Sequence, residues 1–507
     1  MTRRNAAELR DLVIDPGSWQ CWDEAALDTD ADPEYQAELC RARAATGTDE
    51  SVTTGRATVQ GRNIALVFGE FSFMGGSIGV AAGERIVAAI RRATAERLPI
   101  VALPASGGTR MQEGTTAFLQ MIRITAVVNQ HKAAHLPYLV YLRHPTTGGV
   151  FASWASLGHV TFAEPGALLG FLGPRVYESL YGESFPAGVQ VAENLFRYGL
   201  VDAVVAPQEL SQSINRALSI ISVPRTLRTT TEVGHEIGAP VSDDDGDAWA
   251  SVVASRSIER PGVRELLEYS ATESLALNGT GQGEKDPGLL LALVRFGDVS
   301  CVLVGQDRRG QSASTPLGPA ALREARRGMK LAKDLQLPLV SVIDTSGASL
   351  SKGAEEGGLA GEIARCISDL IALDVPTLSV LLGQGTGGAA VALLPADAVI
   401  AAQHGWLSPL PPEGASAILF HDIAHAPEMA ARQRINSVDL RRVGLVDVIV
   451  PEYPDAAAEP DYFCVRVGAA IGAELRRLMS MEDGLRGQLR MERFENIGIQ
   501  RESATLA

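Results

Sequence analysis

The chain carries a second copy of its own plan. Leu98-Pro99-Ile100-Val101 leads into Ser106-Gly107-Gly108, and Leu337-Pro338-Leu339-Val340 leads into Ser346-Gly347-Ala348. Pro137 leads into Thr147-Gly148-Gly149, and 239 residues on (386 − 147) Pro376 leads into Thr386-Gly387-Gly388. Gly199-Leu200-Val201-Asp202 returns as Gly444-Leu445-Val446-Asp447, and the three blocks keep their order. A solenoid repeats every 20–50 residues or so, so this period means a duplicated domain instead. The 507 residues divide into two halves, each large enough to bury its own core.

Within each half, apolar runs alternate with helical patterns. Ile64-Ala65-Leu66-Val67-Phe68 reads as a buried strand, and Ala81 to Arg97 has helical period. Ile100 to Leu103 is a strand, a glycine turn follows, then a helix over Thr116 to Gln130. Tyr138 to Leu142 is the next strand, and Thr146-Thr147-Gly148-Gly149 opens another helix. The second half starts with a helical stretch from Ala248 to about Tyr269. It continues with strands Leu290–Arg295 and Cys301–Val304, helix Pro319–Leu335, strand Leu339–Ile343, helix Glu355–Leu373 and strand Thr377–Leu382. Such alternation predicts parallel strand pairing and an α/β fold. Residues 1–55 read as an N-terminal extension with short helices at most. Residues 56–240 form the first domain and residues 247–507 the second, joined by a solvated acidic linker, Val241-Ser242-Asp243-Asp244-Asp245-Gly246-Asp247.

Composition excludes several function classes. A net charge of −15 argues against a nucleic-acid surface, which needs a basic patch. The five cysteines are an odd number with no C-x-x-C spacing, so a zinc ribbon is not expected and a reducing compartment is. No apolar run reaches the roughly 18 residues of a membrane span, and Met1 to Arg10 lacks the apolar core of a signal peptide. The expectation is a cytoplasmic enzyme that binds no metal, nucleic acid or membrane.

Four loops are placed to carry chemistry: Ala105-Ser106-Gly107-Gly108-Thr109-Arg110, Thr146-Thr147-Gly148-Gly149, Thr345-Ser346-Gly347-Ala348 and Gly385-Thr386-Gly387-Gly388-Ala389. Each joins a strand to a helix. Small residues let a ligand approach the backbone, and the helix start offers unpaired N–H groups. Such donors suit a developing oxyanion; losing one costs about 3–4 kcal/mol of barrier in a known case. A glycine in such a turn also serves positive φ or close packing, but two loops per half, duplicated in place, favour ligand binding. The sequence has no H-E-x-x-H and no G-x-x-x-x-G-K-[ST], which leaves backbone donors acting on a carbonyl as the reading. Arg110 stands where it could meet an anion or make a salt bridge. His144 is a candidate base or a packed histidine, and Glu413 after Pro411-Pro412 is a turn or catalytic residue. Lys330 follows Met329 but lacks the Ala-Met-Lys-Met setting of a biotinyl lysine.

The blocks Phe71-Ser72-Phe73-Met74-Gly75-Gly76-Ser77-Ile78-Gly79, Ala105 to Gly114, His144 to Val150, and Ala163-Glu164-Pro165 with Gly170-Phe171-Leu172-Gly173-Pro174-Arg175-Val176 resemble the β subunit of bacterial acetyl-CoA carboxylase carboxyltransferase. Ala248-Trp249, Arg260-Pro261, Ile343 to Ala348, Gly353-Ala354-Glu355-Glu356 and Pro412 to Leu419 resemble the α subunit. The resemblance covers roughly residues 55–455 and reads as a β–α fusion. It implies two tandem crotonase-like domains, each a spiral of ββα units. It also implies transfer of a carboxyl group from carboxybiotin to the α-carbon of an acyl-CoA, with acetyl-CoA to malonyl-CoA, as in fatty acid biosynthesis, the expected case. By position, Gly148 and Gly149 would hold the thioester enolate and Gly388 and Ala389 the biotin ureido oxygen. Gly75, Gly76, Gly107, Gly108, Arg110, Arg175, Gly347, Ala348 and Gly387 would line the pockets. The implied partners are acyl-CoA, a biotin carboxyl carrier protein that brings the biotin, a biotin carboxylase, and further copies of this chain, with the two holes facing each other between protomers.

Three departures matter. The β subunit's four-cysteine ribbon is missing, since only Cys21 and Cys40 lie in that region. Gly-Ala-Tyr-Pro-Gly is replaced by Gly347-Ala348-Ser349-Leu350-Ser351. The second loop of the α half is compact, Gly383-Gln384-Gly385-Thr386-Gly387-Gly388. The last two sit on the biotin side and keep two alternatives open: a malonate-type decarboxylase on the same fold, and a non-catalytic acyl-CoA-binding paralogue.

Overall fold

A computed structural model of the chain describes residues 4–26, 32–222, 247–312 and 314–497, with the Arg175 side chain excepted. Two compact units emerge. The first comprises Met1–Ser222 with Leu277–Glu284, and the second comprises Val223–Ala276 with Lys285–Ala507.

The first unit is built on a seven-stranded sheet. Its strands are β1 (Gln20–Cys21), β2 (Val52–Val59), β3 (Arg62–Gly69), β4 (Ile100–Leu103), β5 (Tyr138–Leu142), β7 (Val160–Ala163) and β9 (Ala203–Val204), and they lie in that order. β2 and β3 are an antiparallel hairpin, and from β3 onward every neighbour is parallel. Two short strands, β6 (Thr146–Thr147) and β8 (Leu169–Gly170), pair with each other off this sheet. β4 and β5 are buried throughout, as strands covered on both faces must be. Helix Val80–Ala95 turns Ala82, Ile86, Val87 and Ile90 onto the sheet, where they pack with Ile100, Ala102 and Val140.

The second unit repeats this order: β10 (Glu273–Leu277), β11 (Leu289–Phe296), β12 (Val299–Gln306), β13 (Leu339–Thr345), β14 (Thr377–Thr386), β15 (Ala398–Ala402) and β17 (Val448–Val450). β11 and β12 form the antiparallel hairpin and β12 to β17 run parallel. β16 (Trp406–Ser408) pairs with the end of β14. The halves also share a detail of their edges. Asp202 accepts from the Thr161 N–H at 2.8 Å, and its counterpart Asp447 accepts from the Val399 N–H at 2.7 Å. The repeated Gly-Leu-Val-Asp block is thus a carboxylate that closes the start of a parallel strand.

Several boundaries differ from expectation. β1 lies within residues 1–55 and pairs with β2, which itself straddles residue 55, so the extension and first domain are continuous. The N-terminal segment has two helices, Ala6–Val13 and Pro33–Thr46. The stretch read as one helix from Ala248 is two, Ala248–Ser255 and Val263–Ser270, interrupted where Pro261 cannot continue the ladder. Glu355–Leu373 also splits, into Lys352–Glu356 and Leu359–Ile371, at Gly358 with φ +78°. Of the expected linker, residues 241–246 lie outside the described residues. Its last residue, Asp247, caps helix Ala248–Ser255 by accepting the Trp249 and Ala250 N–H groups.

One buried ion pair anchors the second unit. Arg260 and Glu452 are both fully buried and make two hydrogen bonds, of 2.7 and 2.8 Å. Burial pushes the Glu452 carboxyl up, but the Arg260 charge and hydrogen bonds outweigh it and leave it below the usual carboxylate range. A lowered folded-state value means that this stabilisation is present above the ordinary pH of carboxylate titration, about 4.3, and is lost as pH falls through the folded-state value. Arg260→Met should cost about 3–5 kcal/mol by stranding the carboxylate, read as a drop in urea midpoint near pH 7. Arg260→Met with Glu452→Leu should recover most of that loss. An unchanged midpoint in the single variant would refute the anchor.

Candidate functional site

β4 and β5 are adjacent parallel strands, so the loops leaving their C-terminal ends are neighbours. The loop after β4 contains Ser106, Gly107 and Gly108, and the loop after β5 leads through β6 to Gly148 and Gly149. They meet backbone on backbone. A Cβ at Gly108 would lie 3.3 Å from the Gly148 Cα and 3.4 Å from the Gly149 nitrogen. A Cβ at Gly148 would lie 3.1 Å from the Gly107 oxygen. Both residues have positive φ, +117° and +64°, so glycine is needed there for conformation as well as for space. Gly75 and Gly76 join them: the Gly107 N–H donates to the Gly75 oxygen at 2.8 Å, and Gly76 sits so close to the Ala105 carbonyl that a Cβ would overlap it.

Most of these amides are already used. Gly108 N–H donates to Ser106 Oγ at 3.0 Å, Thr147 N–H to the Ser106 oxygen and Gly148 N–H to the Phe171 oxygen, both at 2.9 Å. Among the described residues no loop carbonyl takes the Gly149 N–H. The following helix, Gly148–Phe151, has four residues. Its contribution is therefore local N–H groups rather than a macrodipole summed over a long helix.

The second unit builds the same device. Gly347 (φ +128°) and Gly387 (φ +64°) take the backbone conformations of Gly108 and Gly148, each 239 residues on. Gly347 N–H donates to Thr345 Oγ1 at 3.1 Å, as Gly108 does to Ser106. The bridge pairing Ile78 with Thr109 recurs between Leu317 and Ala348. Helix Gly387–Val391 starts at the second loop, and no loop carbonyl among the described residues takes the Gly388 or Ala389 N–H. Packing is looser at Gly347, whose added Cβ would lie 3.7 Å from Thr386 Cγ2, while at Gly388 it would meet Ile363 Cδ1 at 2.7 Å. The structure thus assembles Gly75, Gly76, Gly107, Gly108, Gly148 and Gly149 in one unit, and Gly347, Ala348, Gly387, Gly388 and Ala389 in the other.

Arg110, expected in the substrate pocket, spends its guanidinium on partners within the protein. It is 1% exposed and forms a bidentate pair with Glu50, while its Nη2 donates to the Ser77 oxygen at 2.8 Å and its Nη1 to Tyr35 at 3.2 Å. Burial alone would lower its pKa, but Glu50 reverses this and raises it. Arg110 thereby ties the first loop to helix Pro33–Thr46, an N-terminal element the sequence offered no reason to place there. His144 is held between neighbours: its Nδ1 accepts the Leu168 N–H at 3.0 Å and its own N–H donates to Glu164 at 2.9 Å. Glu413 is paired with Arg256 in the first turn of helix Pro412–Phe420, and that hydrogen bond holds its carboxyl below the usual range. The Arg175 side chain, also expected in a pocket, lies outside the described residues.

Sequence reading missed the side chains that brace the loops. Ser106 and Thr345 cap the amide two residues on, a pattern legible as Ser/Thr-x-Gly. Gln306 was not legible: fully buried at the end of β12, it accepts the Asp344 N–H and donates to the Ala389 oxygen at 2.7 Å, linking the two loops of the second unit.

The carboxyl transferase domain family matches over residues 3–488. This chain belongs to that family. Among its relatives, a protein named as a probable biotin-dependent acyl-coenzyme A carboxylase beta3 subunit in Mycobacterium tuberculosis is 57% identical over 99% of this chain and 100% of its own length. Proteins named acetyl-coenzyme A carboxylase carboxyl transferase subunits beta/alpha, in Salinispora tropica and Salinispora arenicola, are 36% and 35% identical over 96% and 99% of this chain and 89% and 92% of theirs. A transcarboxylase 12S structure, described as a hexamer with methylmalonyl-coenzyme A and methylmalonic acid bound, shares the fold. Its TM-score is 0.76 at 20% identity, covering 95% of this chain and 90% of that one.

In this carboxyl transferase chain, Arg110→Met should act through stability. It strands Glu50 and should cost about 3–5 kcal/mol, seen as an earlier urea transition. A normal unfolding curve with a selective substrate-affinity loss would restore the ligand role.

Proposed function

We propose that this chain is the carboxyltransferase component of a biotin-dependent acyl-CoA carboxylase, its halves two crotonase-like domains in tandem. The observation that carries this reading is the doubled donor loop. Gly148 and Gly387 share a φ of +64°, each at the start of a short helix, in a chain of the carboxyl transferase family. Both half-reactions put negative charge on a carbonyl oxygen, and neither requires a side-chain nucleophile.

The C–N bond of carboxybiotin breaks, giving carbon dioxide and a ureido anion. Its oxygen is held by the Gly388 and Ala389 N–H groups, beside Gly347, Ala348 and Gly387. The ureido nitrogen then takes the α-proton of the acyl-CoA, and the enolate oxygen is held by the Gly149 N–H, beside Gly75, Gly76, Gly107, Gly108 and Gly148, whose own N–H is donated to Phe171. The enolate carbon attacks carbon dioxide and the new C–C bond restores the thioester carbonyl. Fixed N–H donors lower both barriers because the charge forms where they already point.

Acetyl-CoA is the first acyl group to test in a series. The 57% identical relative is named for acyl-coenzyme A in general, and the acetyl-coenzyme A type relatives stand at about 35%. The chain carries no biotinyl-lysine context at Lys330, so the proposal includes a biotin carrier protein and a biotin carboxylase as partners. The hexamer of the transcarboxylase neighbour supports a homo-oligomer.

Purified chain with malonyl-CoA and free biotin should transfer carboxyl groups to biotin, and a series of longer carboxylated acyl-CoAs should rank chain length. Release of carbon dioxide that ignores biotin would sink the proposal in favour of a decarboxylase; binding without turnover would sink it in favour of a non-catalytic paralogue. Gly149→Val places a Cβ 3.1 Å from Thr109 Oγ1 and 3.3 Å from Met121 Cγ, and should lower kcat by about 100-fold or more. Full activity in that variant would remove Gly149 from the site.

A further inference from the structure

Beneath the second unit's donor loops lies a buried carboxylate that the first unit lacks. Asp344, 1% exposed, stands one residue before Thr345 at the end of β13. Its Oδ1 accepts the N–H of Gln384 on β14 at 3.1 Å, so it spans the stems of both loops. Gly383 leaves room for it: a Cβ there would lie 2.6 Å from Oδ1. Its backbone is braced from β12 and the following loop, with its N–H donating to Gln306 Oε1 at 3.1 Å and its oxygen accepting from Gln311 Nε2 at 3.2 Å. Among the described residues Oδ2 has no hydrogen-bond partner; it stands 3.5 Å from Arg308 Nη1, which is itself buried and has none there either.

The first unit serves as an internal control. The counterparts 239 residues earlier are Ala105 for Asp344 and Pro145 for Gln384. Ala105 has no acceptor side chain and Pro145 has no N–H to donate. Strand register pairs Phe68 with Leu103 and Gly305 with Val342, which makes Gly69 the counterpart of Gln306. Small residues hold those loops by direct contact, a Cβ at Gly69 lying 2.6 Å from the Ala105 nitrogen. The same loop pair thus forms without a carboxylate, and the architecture does not demand one. Burying a carboxylate whose second oxygen lacks a hydrogen bond is costly. A costly group that the fold does not need, confined to one of two copies and placed under its donor loops, points to the ligand of that copy.

We propose that Asp344 is a positioning residue that holds the Gln384–Ala389 loop in the geometry needed to receive the biotin ureido group. The assignment to biotin rests on the carboxyltransferase reading above. Asp344 touches neither reacting group and acts through the Gln384 peptide.

The test uses the full chain and two readouts. In Asp344→Ala, which removes the acceptor of the Gln384 N–H, hydrogen exchange of the Gln384–Ala389 amides should accelerate tenfold or more, with Gly148–Phe151 unchanged. No acceleration, or equal acceleration in both loops, overturns the positioning role. In reverse transfer from malonyl-CoA to free biotin, the KM for biotin should rise roughly 10- to 100-fold, as small misplacements do, while the KM for malonyl-CoA stays within twofold. Equal rises in both, or none, overturn the assignment to biotin. If the wild-type chain transfers no carboxyl group, the carboxyltransferase reading fails and the exchange result still decides the role of Asp344. Asp344→Ala with Gln384→Pro installs the first unit's own residues and guards against a folding failure of the single variant. It should fold and show the same selective exchange, and native exchange in its loop would refute the proposal.

Discussion

Everything at these loops depends on how closely two backbones can approach at the ends of adjacent parallel strands. Parallel neighbours lie about 4.8 Å apart, so loops leaving β4 and β5 have no room for side chains between them. Gly108 and Gly148 meet this constraint by presenting backbone to backbone, with an added Cβ on either coming within 3.1–3.3 Å of the other loop. Once the backbones touch, amides rather than side chains line the surface. A site with this construction offers backbone N–H groups rather than a side-chain nucleophile. The second unit inherits the constraint with the strand order, at Gly347 and Gly387.

How a loop is held once it is in place is less constrained, and here the copies part. The first unit ties its loop outward: Arg110 reaches Glu50 and Tyr35, and Glu113 accepts the Tyr35 hydroxyl and the Val80 N–H. The second ties its loops together from below through Gln306, Gln311 and Asp344. Position 110 shows the exchange directly, because its counterpart Ser349 is part of an exposed turn with a hydroxyl shared with Ser351.

What was legible in the sequence follows the same division. Apolar runs mark strands because both faces of a parallel sheet are covered, and helix Pro319–Leu335 was read to the residue because Pro starts it and apolar spacing carries it through. The four loops were legible because positive φ leaves glycine in the sequence. The pairing of Arg110 was not legible because an arginine beside a glycine turn looks alike whether it meets a ligand or Glu50, and Glu50 lies 60 residues away in sequence. The N-terminal helix Pro33–Thr46 carried almost no amphipathic signal to announce a docking face; Tyr35 and Leu39 are its buried residues, packed with Phe73, and the Tyr35 hydroxyl adds the link to Arg110. Gln306 closes an apolar strand and is uninformative until the strand register puts it beside Asp344.

A duplicated domain also separates fold from function in a way a single domain cannot. Any residue needed to build the strand–loop–helix plan should leave a trace in both copies. Asp202 and Asp447 do, each closing a strand start, and so do the four positive-φ glycines. Residues present in only one copy are released from that requirement, and their energetic cost has to be explained by what that copy alone does. Glu50–Arg110 fits a local explanation, since the first unit has an N-terminal helix to hold. Asp344 does not, because its partner Gln384 lies within the repeated plan and the other copy fills the positions of the two with Ala105 and Pro145. The asymmetry is therefore a property of the loop's task rather than of its scaffold.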